Sequence, residues 1–165
     1  MENRTTAWSA VDFYKGLTEH NRLAKEKHFV FARVSGLEGL QEAIARMQST
    51  AAFVMVADNA AGYTELEPTP HYRSMNTVFL AMRHKAGDMA AREACLKTIK
   101  ELNRQFCSKL LMQKTLLQEN AQYLDPRINL QEAPSHLIPG TAICMFEVAV
   151  DTYVDMSYNP EEWDD

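Results

Sequence analysis

The chain has 165 residues, of which 46% are hydrophobic and 24% are charged, and its formal net charge at pH 7 is −5. This composition is typical of one globular domain over residues 1–165 and excludes a disordered or fibrous chain. The negative charge and the scattered basic residues also exclude a conventional DNA-binding domain, because phosphate contacts need clustered Lys and Arg.

The sequence also predicts the compartment. Its apolar runs are far shorter than the ~20 residues that span a bilayer, and the N-terminal residues lack a signal-peptide pattern. Cys95, Cys107 and Cys144 are an odd number without CxxC spacing, which is typical of reduced core cysteines. We therefore expect a cytoplasmic protein without membrane association.

The first half of the chain alternates helices and strands. Apolar residues at helical spacing predict a helix over 9–26, and residues 28–34 have the period of a strand covered on both faces. A capping-box pattern at Ser35 begins an amphipathic helix that ends near residue 48. The apolar run 52–57 predicts a central strand.

A long loop and a long helix are predicted next. Residues 59–72 contain one Gly and two Pro with little periodicity, which indicates a surface loop. Residues 75–82 alternate as a strand, which we expect to run antiparallel to 52–57. From Asp88 an apolar stripe predicts a helix of about 30 residues, long enough at ~45 Å to allow a break near Gln113.

The C-terminal part ends in the clearest strand pattern. Residues 127–131 predict a short edge strand, and the alternation over 142–158 predicts a last strand. A straight strand of that length would span ~55 Å, so we expect it to bend, bulge or project. The order α-β-α-β-β-α-β predicts an α+β fold with a mixed, mainly antiparallel sheet of about four strands and three helices.

The motifs of catalysis and cofactor binding do not occur in this sequence. The five His are isolated, the Cys lie in apolar contexts and the Gly form no phosphate loop, so we expect no metal, no cofactor and no enzymatic activity. Asp151 and Asp155 would lie ~13 Å apart on a strand, too far for an acid–base pair. Residues 83–85 form a basic trio that we interpret as a solvated turn.

The C-terminal residues 159–165 form an acidic tail that contains one large aromatic side chain, Trp163. The indole either packs onto its own domain or anchors a neighbouring subunit, because aromatic anchors are frequent at interface centres.

Two stretches resemble a known group of proteins. Residues 77–89 (TVFLAMRHKAGDM), and residues 146–159 followed by Glu162 and Trp163, resemble small proteins encoded among structural genes in prophages of gut bacteria. The element order resembles that of tail-terminator and tail-completion proteins of tailed bacteriophages. The resemblance implies a non-enzymatic neck or tail subunit that forms a homo-oligomeric ring and contacts other tail or neck proteins. It also implies assembly in the host cytoplasm, followed by incorporation into the virion tail or neck.

The resemblance gives roles to the C-terminal residues. A projecting strand could pair with a neighbour, and an acidic face could line a ring through which DNA passes without sequence-specific binding. The candidate subunit interface comprises Val154, Met156, Tyr158 and Trp163. The candidate acidic ring face comprises Glu147, Asp151, Asp155 and Glu162.

Two other hypotheses stay open at this point. One is a ligand-binding or enzymatic domain with a pocket under the 59–72 loop, where Tyr63, His71 and Arg83 would supply polar contacts. The other is a cytoplasmic adaptor that binds a partner through residues 158–163.

Overall fold

The computed structural model describes residues 8–58 and 61–164. Within these residues the chain is α+β, with seven strands in one mixed sheet and four α-helices. The helices are α1 (Ala10–His20), α2 (Arg22–Glu26), α3 (Gly36–Arg46) and α4 (Met89–Glu119), and a 3₁₀ helix spans Pro160–Glu162. The strands are β1 (Phe29–Val34), β2 (Ala52–Ala57), β3 (Ala61–Glu65), β4 (His71–Arg83), β5 (Gln122–Leu124), β6 (Gln131–Glu132) and β7 (Thr141–Tyr153). The predicted class is confirmed, whereas the predicted numbers of strands and helices were too low.

The predicted first helix, 9–26, is two helices. The Ser9 side chain accepts a hydrogen bond from the Asp12 N–H at 3.1 Å and begins α1 as predicted. Asn21 then takes an extended conformation, and its side chain accepts from the Ala24 N–H at 2.8 Å. Because Asn is a favoured N-cap, this residue ends one helix and begins the next.

The sheet has the strand order β1-β2-β4-β7-β5. β1 and β2 are parallel, and the other pairs are antiparallel, including β2 with β4 as predicted. β4 and β7 pair along all 13 residues of each strand. β2 pairs with the C-terminal part of β4 and β3 with its N-terminal part. The sheet therefore extends beyond β2 as a long hairpin arm.

The predicted loop 59–72 is wrong, because β3 and the beginning of β4 lie within it. Its side chains alternate between half-exposed faces, so the apolar periodicity that identifies a buried strand is absent. Gly62 has a structural reason to be glycine: a Cβ at this position would collide with the main-chain carbonyl oxygen of Arg73. This glycine therefore marks a close approach of two strands instead of a loop.

α4 and β7 both differ from their predicted lengths. α4 is unbroken through Gln113 and is about 46 Å long at 1.5 Å per residue, close to the ~43 Å of a 13-residue strand. The helix therefore has a sheet of matching length to pack on. β7 ends at Tyr153, so residues 154–158 lie outside the strand, and the predicted strand over 142–158 is too long.

Two apolar clusters cover the two sheet faces. The first joins α1 and α4 to the sheet and includes the buried side chains of Tyr14, Leu80 and Phe106. The second, under α3, includes Phe53, Phe79 and Ile143. β1 lies at the sheet edge and is covered on both faces, as predicted: Phe29 and Phe31 pack in the first cluster and Ala32 and Val34 in the second, while Val30 is 39% exposed.

The second cluster divides the sheet into two halves. We call β1, β2, residues 78–83 and residues 141–146 the proximal half, and β3, β5, residues 71–77 and residues 147–153 the distal half. The buried residues under α3 all lie outside the distal half. The distal half is therefore covered by α4 on one side, while residues 8–58 and 61–164 provide no comparable apolar cover on its other side.

Candidate functional site

The uncovered side of the distal half carries a row of polar and aromatic side chains across four strands. Tyr63 of β3 pairs with Arg73 of β4, Arg73 pairs with Asp151 of β7, and Asp151 pairs with Tyr123 of β5. Paired residues in a sheet lie on the same face, so these four side chains form one row. We call this surface the distal face.

An ion-pair cluster lies at the centre of the distal face. Arg73 donates from Nη2 to Asp125 at 2.5 Å and from Nη1 to both carboxylate oxygens of Asp151 at 3.1 Å. The hydrogen bond to Asp125 raises the pKa of Arg73 further. The backbone N–H of Arg127, and then the Arg73 guanidinium, lower the pKa of Asp125. One guanidinium thus holds two carboxylates that are 32% and 20% exposed, which leaves a net charge of −1.

Aromatic rings surround this cluster. The His71 ring lies 6.1 Å from that of Tyr63 and 5.0 Å from that of Tyr153. Tyr153 in turn makes an edge contact with Tyr123 at 5.1 Å. Tyr63 remains 50% exposed and Tyr123 44% exposed. Tyr and Arg that are held in place but still exposed are characteristic of the energetic centres of protein interfaces.

A groove of ≈ 490 Å³ continues the distal face toward the proximal half. Its floor includes Met75, Thr77 and Met145, and Glu147 lies at its side with an exposed carboxylate. The groove gives the surface a concave edge beside the ion-pair cluster.

The C-terminal segment, residues 154–164, follows the distal half. The Val154 N–H donates to the Pro70 carbonyl at 3.4 Å, and Asn159 caps the 3₁₀ helix by accepting from the Glu161 N–H at 3.1 Å. The rings of Tyr158 and Trp163 stack at 6.3 Å and are 68% and 63% exposed. The indole therefore packs on its neighbour in the segment and does not fold into the domain core.

The four predicted acidic residues do not share one strand face. Glu147 borders the groove and Asp151 is paired with Arg73. Asp155 lies beyond β7, where hydrogen bonds from the Ser157 side chain and N–H lower the pKa of its carboxyl. Glu162 lies in the 3₁₀ helix. The prediction that the last strand includes Asp155 was wrong, because β7 ends at Tyr153. The acidic ring face itself stays a prediction.

The predicted polar contacts of a pocket under a loop are not assembled. Tyr63 and His71 are neighbours on the distal face, but Arg83 lies at the opposite end of β4. Its guanidinium donates to main-chain carbonyls of Ile44, Met47 and Thr50 and lies 5.4 Å from the centre of the Phe53 ring. Arg83 therefore ties α3 to the sheet and is not part of a basic turn, in contrast to our interpretation.

The Arg73 cluster was not predicted from the sequence. Arg73, Asp125 and Asp151 are separated by 52 and 26 residues, and Arg73 and Asp125 lie in segments without a motif. The one available signal was the pairing of a polar position in each of two long strands, which becomes visible only when the strand register is known.

The cysteine thiols are held in their neutral form by the fold. Cys144 is fully buried, and burial raises the pKa of its thiol to about 11. Burial also raises the pKa values of Cys95 and Cys107. A thiol with a raised pKa is a poor nucleophile at neutral pH.

Over residues 8–58 and 61–164, side chains of His, Cys, Asp and Glu form no group of three that could hold a metal ion. None of the helices in that part of the chain is both long and apolar enough to cross a membrane. No protein-family model matches the chain, and no curated protein matches it in sequence.

Proposed function

We propose that the chain is a non-enzymatic structural subunit of a tailed bacteriophage, similar to tail terminators or neck proteins, that assembles into a ring. The observation that carries this proposal is the distal face, which is half of a sheet without an apolar cover. Its exposed side chains, Tyr rings around an Arg, are the types found at the centres of protein interfaces. They are not the types that usually keep an open sheet soluble.

The Arg73 cluster makes the distal face suitable for burial against another protein. Burying a lone guanidinium is costly, whereas one that already donates to two carboxylates keeps its partners when water is removed. The surrounding Tyr rings add apolar area and lose little side-chain entropy on binding. The face is thus organised for contact before any partner arrives.

The two stretches that resemble prophage proteins are neighbours in the fold. Thr77 pairs with Glu147 and Val78 with Phe146, so the beginnings of both stretches lie side by side at the centre of the sheet. From there the first stretch runs into the proximal half, and the second runs through the distal half into the C-terminal segment. The second stretch supports a role in which the distal end of the molecule meets other subunits.

The exposed carboxylates fit passage of DNA through a ring. Glu147 and Asp155 are exposed and border the distal half, and the exposed Glu162 follows in the C-terminal segment. Like-charge repulsion keeps nucleic acid from adhering to such a surface. In this proposal the subunit assembles in the host cytoplasm and then joins the tail or neck of the virion.

The test is the assembly state of the purified protein, alone and with tail tubes from the phage that encodes it. We expect rings in negative-stain electron microscopy and a concentration-dependent mass in light scattering. Tyr63→Ser should weaken self-association about tenfold, since an interface anchor contributes about 1.4 kcal/mol or more.

Tyr72→Ser is the matched control for Tyr63→Ser. Tyr72 is 49% exposed and lies on the strand paired with β3, but on the opposite sheet face. A chain that stays monomeric at all concentrations and never joins tail tubes contradicts the proposal. Equal effects of the two substitutions would contradict the role of the distal face.

A further inference from the structure

The C-terminal half of α4 carries a stripe of exposed apolar side chains. Leu111 and Met112 are each 68% exposed, and Leu116 is 53% exposed. The inward face of the same turns is formed by the buried Leu110 and Leu117. Single exposed apolar residues are common, but three within two helical turns indicate a contact site. We call these three residues the α4 stripe.

Two cations flank the α4 stripe. Lys109 precedes Met112 by three residues and Lys114 follows Leu111 by three, so each ammonium group lies beside an apolar member on the helix surface. Both lysines are exposed, and neither forms an ion pair within the described part of the chain. Glu119 is the one acidic residue at the end of the stripe, so the surface is apolar with a positive margin.

The C-terminal segment has the complementary character. Its stacked Tyr158 and Trp163 rings are mostly exposed, and residues 155–164 contain four carboxylates without a Lys or Arg. The two rings can cover the exposed apolar side chains of the α4 stripe. The carboxylates can pair with the two lysines at the margin of the stripe. Partly desolvated opposite charges at an interface rim fix orientation and accelerate encounter.

We propose that the C-terminal segment of one copy docks on the α4 stripe of a neighbouring copy. Residues 154–157 lie beside Leu66 and Pro70 at the tip of the hairpin arm, so the segment leaves its own domain at that tip. Donor and acceptor are different surfaces, which makes the contact head-to-tail, and a head-to-tail contact closes into a ring when its rotation permits. The inference rests on the proposed function for the ring and adds the junction between its subunits.

The test uses a synthetic, fluorescently labelled peptide of residues 154–165 and the full-length Trp163→Ser chain, whose own segment lacks the indole. We expect saturable binding in fluorescence anisotropy. Adding Leu116→Ser to the chain should weaken binding at least tenfold. Adding Met89→Ser, at a 55% exposed residue near the other end of α4, should leave binding unchanged.

A charge exchange tests the electrostatic part. A Glu162→Lys peptide should bind the Trp163→Ser chain several-fold more weakly, and Lys114→Glu in that chain should restore part of the loss. Binding of the parent peptide should also weaken as salt rises. Unsaturable binding, or equal effects of Leu116→Ser and Met89→Ser, would overturn the proposal.

The outcomes separate this junction from the function of the whole protein. If the wild-type chain forms rings on tail tubes but the peptide does not bind α4, the junction is refuted and the proposed function stays intact. A peptide that binds α4 of a chain that ignores tail tubes would support the junction and refute the phage function. A third outcome is a wild-type chain that stays monomeric and does not bind the peptide at any concentration, because its own C-terminal segment occupies its α4 stripe. Docking would then occur within one copy, which also refutes the junction.

Discussion

The proximal and distal halves of the sheet share the strands β4 and β7, yet their α3-side faces differ in burial and polarity. In the proximal half, Leu80 and Cys144 lie under one layer of helix and Phe79 and Ile143 under another, and all four are buried. In the distal half the face on the α3 side carries Arg73 and half-exposed Tyr rings. One strand pair thus holds the core at one end and carries an exposed polar and aromatic surface at the other.

The largest expected effect is in the proximal half. Phe53→Ala should lower the free energy of unfolding by about 3–5 kcal/mol, because it leaves a cavity where the side chain is fully buried and removes the ring beneath Arg83. Tyr63→Ser, on the same sheet face in the distal half, should cost about 1 kcal/mol or less. Urea unfolding of both variants measures the difference, and similar losses would mean that the two halves are equally part of the core.

An intermediate effect is expected at the Arg73 cluster. Arg73→Met should lower the free energy of unfolding by about 1–3 kcal/mol, because it leaves Asp125 and Asp151 without the guanidinium that donates to both carboxylates. The range lies between exposed and buried ion pairs, since these side chains are one-fifth to one-third exposed. Thermal and urea unfolding at neutral pH measure it. A loss below 0.3 kcal/mol would show that water already screens the cluster.

The smallest effect is a pH dependence that originates in the distal half. The pKa of Asp125 is lower in the folded chain than its unfolded value of about 3.9, so its stabilisation is complete above that value and is lost as pH falls through the folded pKa. Asp125→Asn should therefore flatten the loss of stability below about pH 4. The amide oxygen retains the hydrogen bond from the Arg127 N–H, so the turn is preserved. If Asp125→Asn loses stability below about pH 4 as the wild type does, Asp125 is not the source of this pH dependence.

The sequence predicted the elements whose side chains are buried. β2 was found at its exact bounds, since all six of its residues are buried and apolar, and α4 was found from its buried stripe. Where the side chains of an element are only partly buried, apolar periodicity does not identify that element. β3 and residues 71–74 of β4 alternate between surfaces that are both partly exposed, so their strand character does not appear as apolar periodicity.

Only the C-terminal residues of the candidate site were predicted from the sequence. Tyr158 and Trp163 are exposed aromatic residues in an acidic segment, and that can be recognised from neighbouring residues alone. The distal face depends on the register of β3, β4, β7 and β5, which pairs residues that are 10, 78 and 28 positions apart in the sequence. The α4 stripe was missed for another reason: Leu111, Met112 and Leu116 lie outside the buried apolar stripe that predicted the helix, and single exposed apolar residues give no signal of a contact site.

Gly62 fixes the register of β3 on β4, and with it the sheet face that carries Tyr63. If β3 slipped by one residue along β4, Ala61 or Tyr63 would have to occupy the place where even a methyl group collides with the carbonyl of Arg73. Such a slip would also turn every side chain of β3 to the other face and take Tyr63 away from the ion-pair cluster. A residue without a side chain thus excludes the competing register, and it keeps the aromatic row together in an arm that has little apolar core to align it.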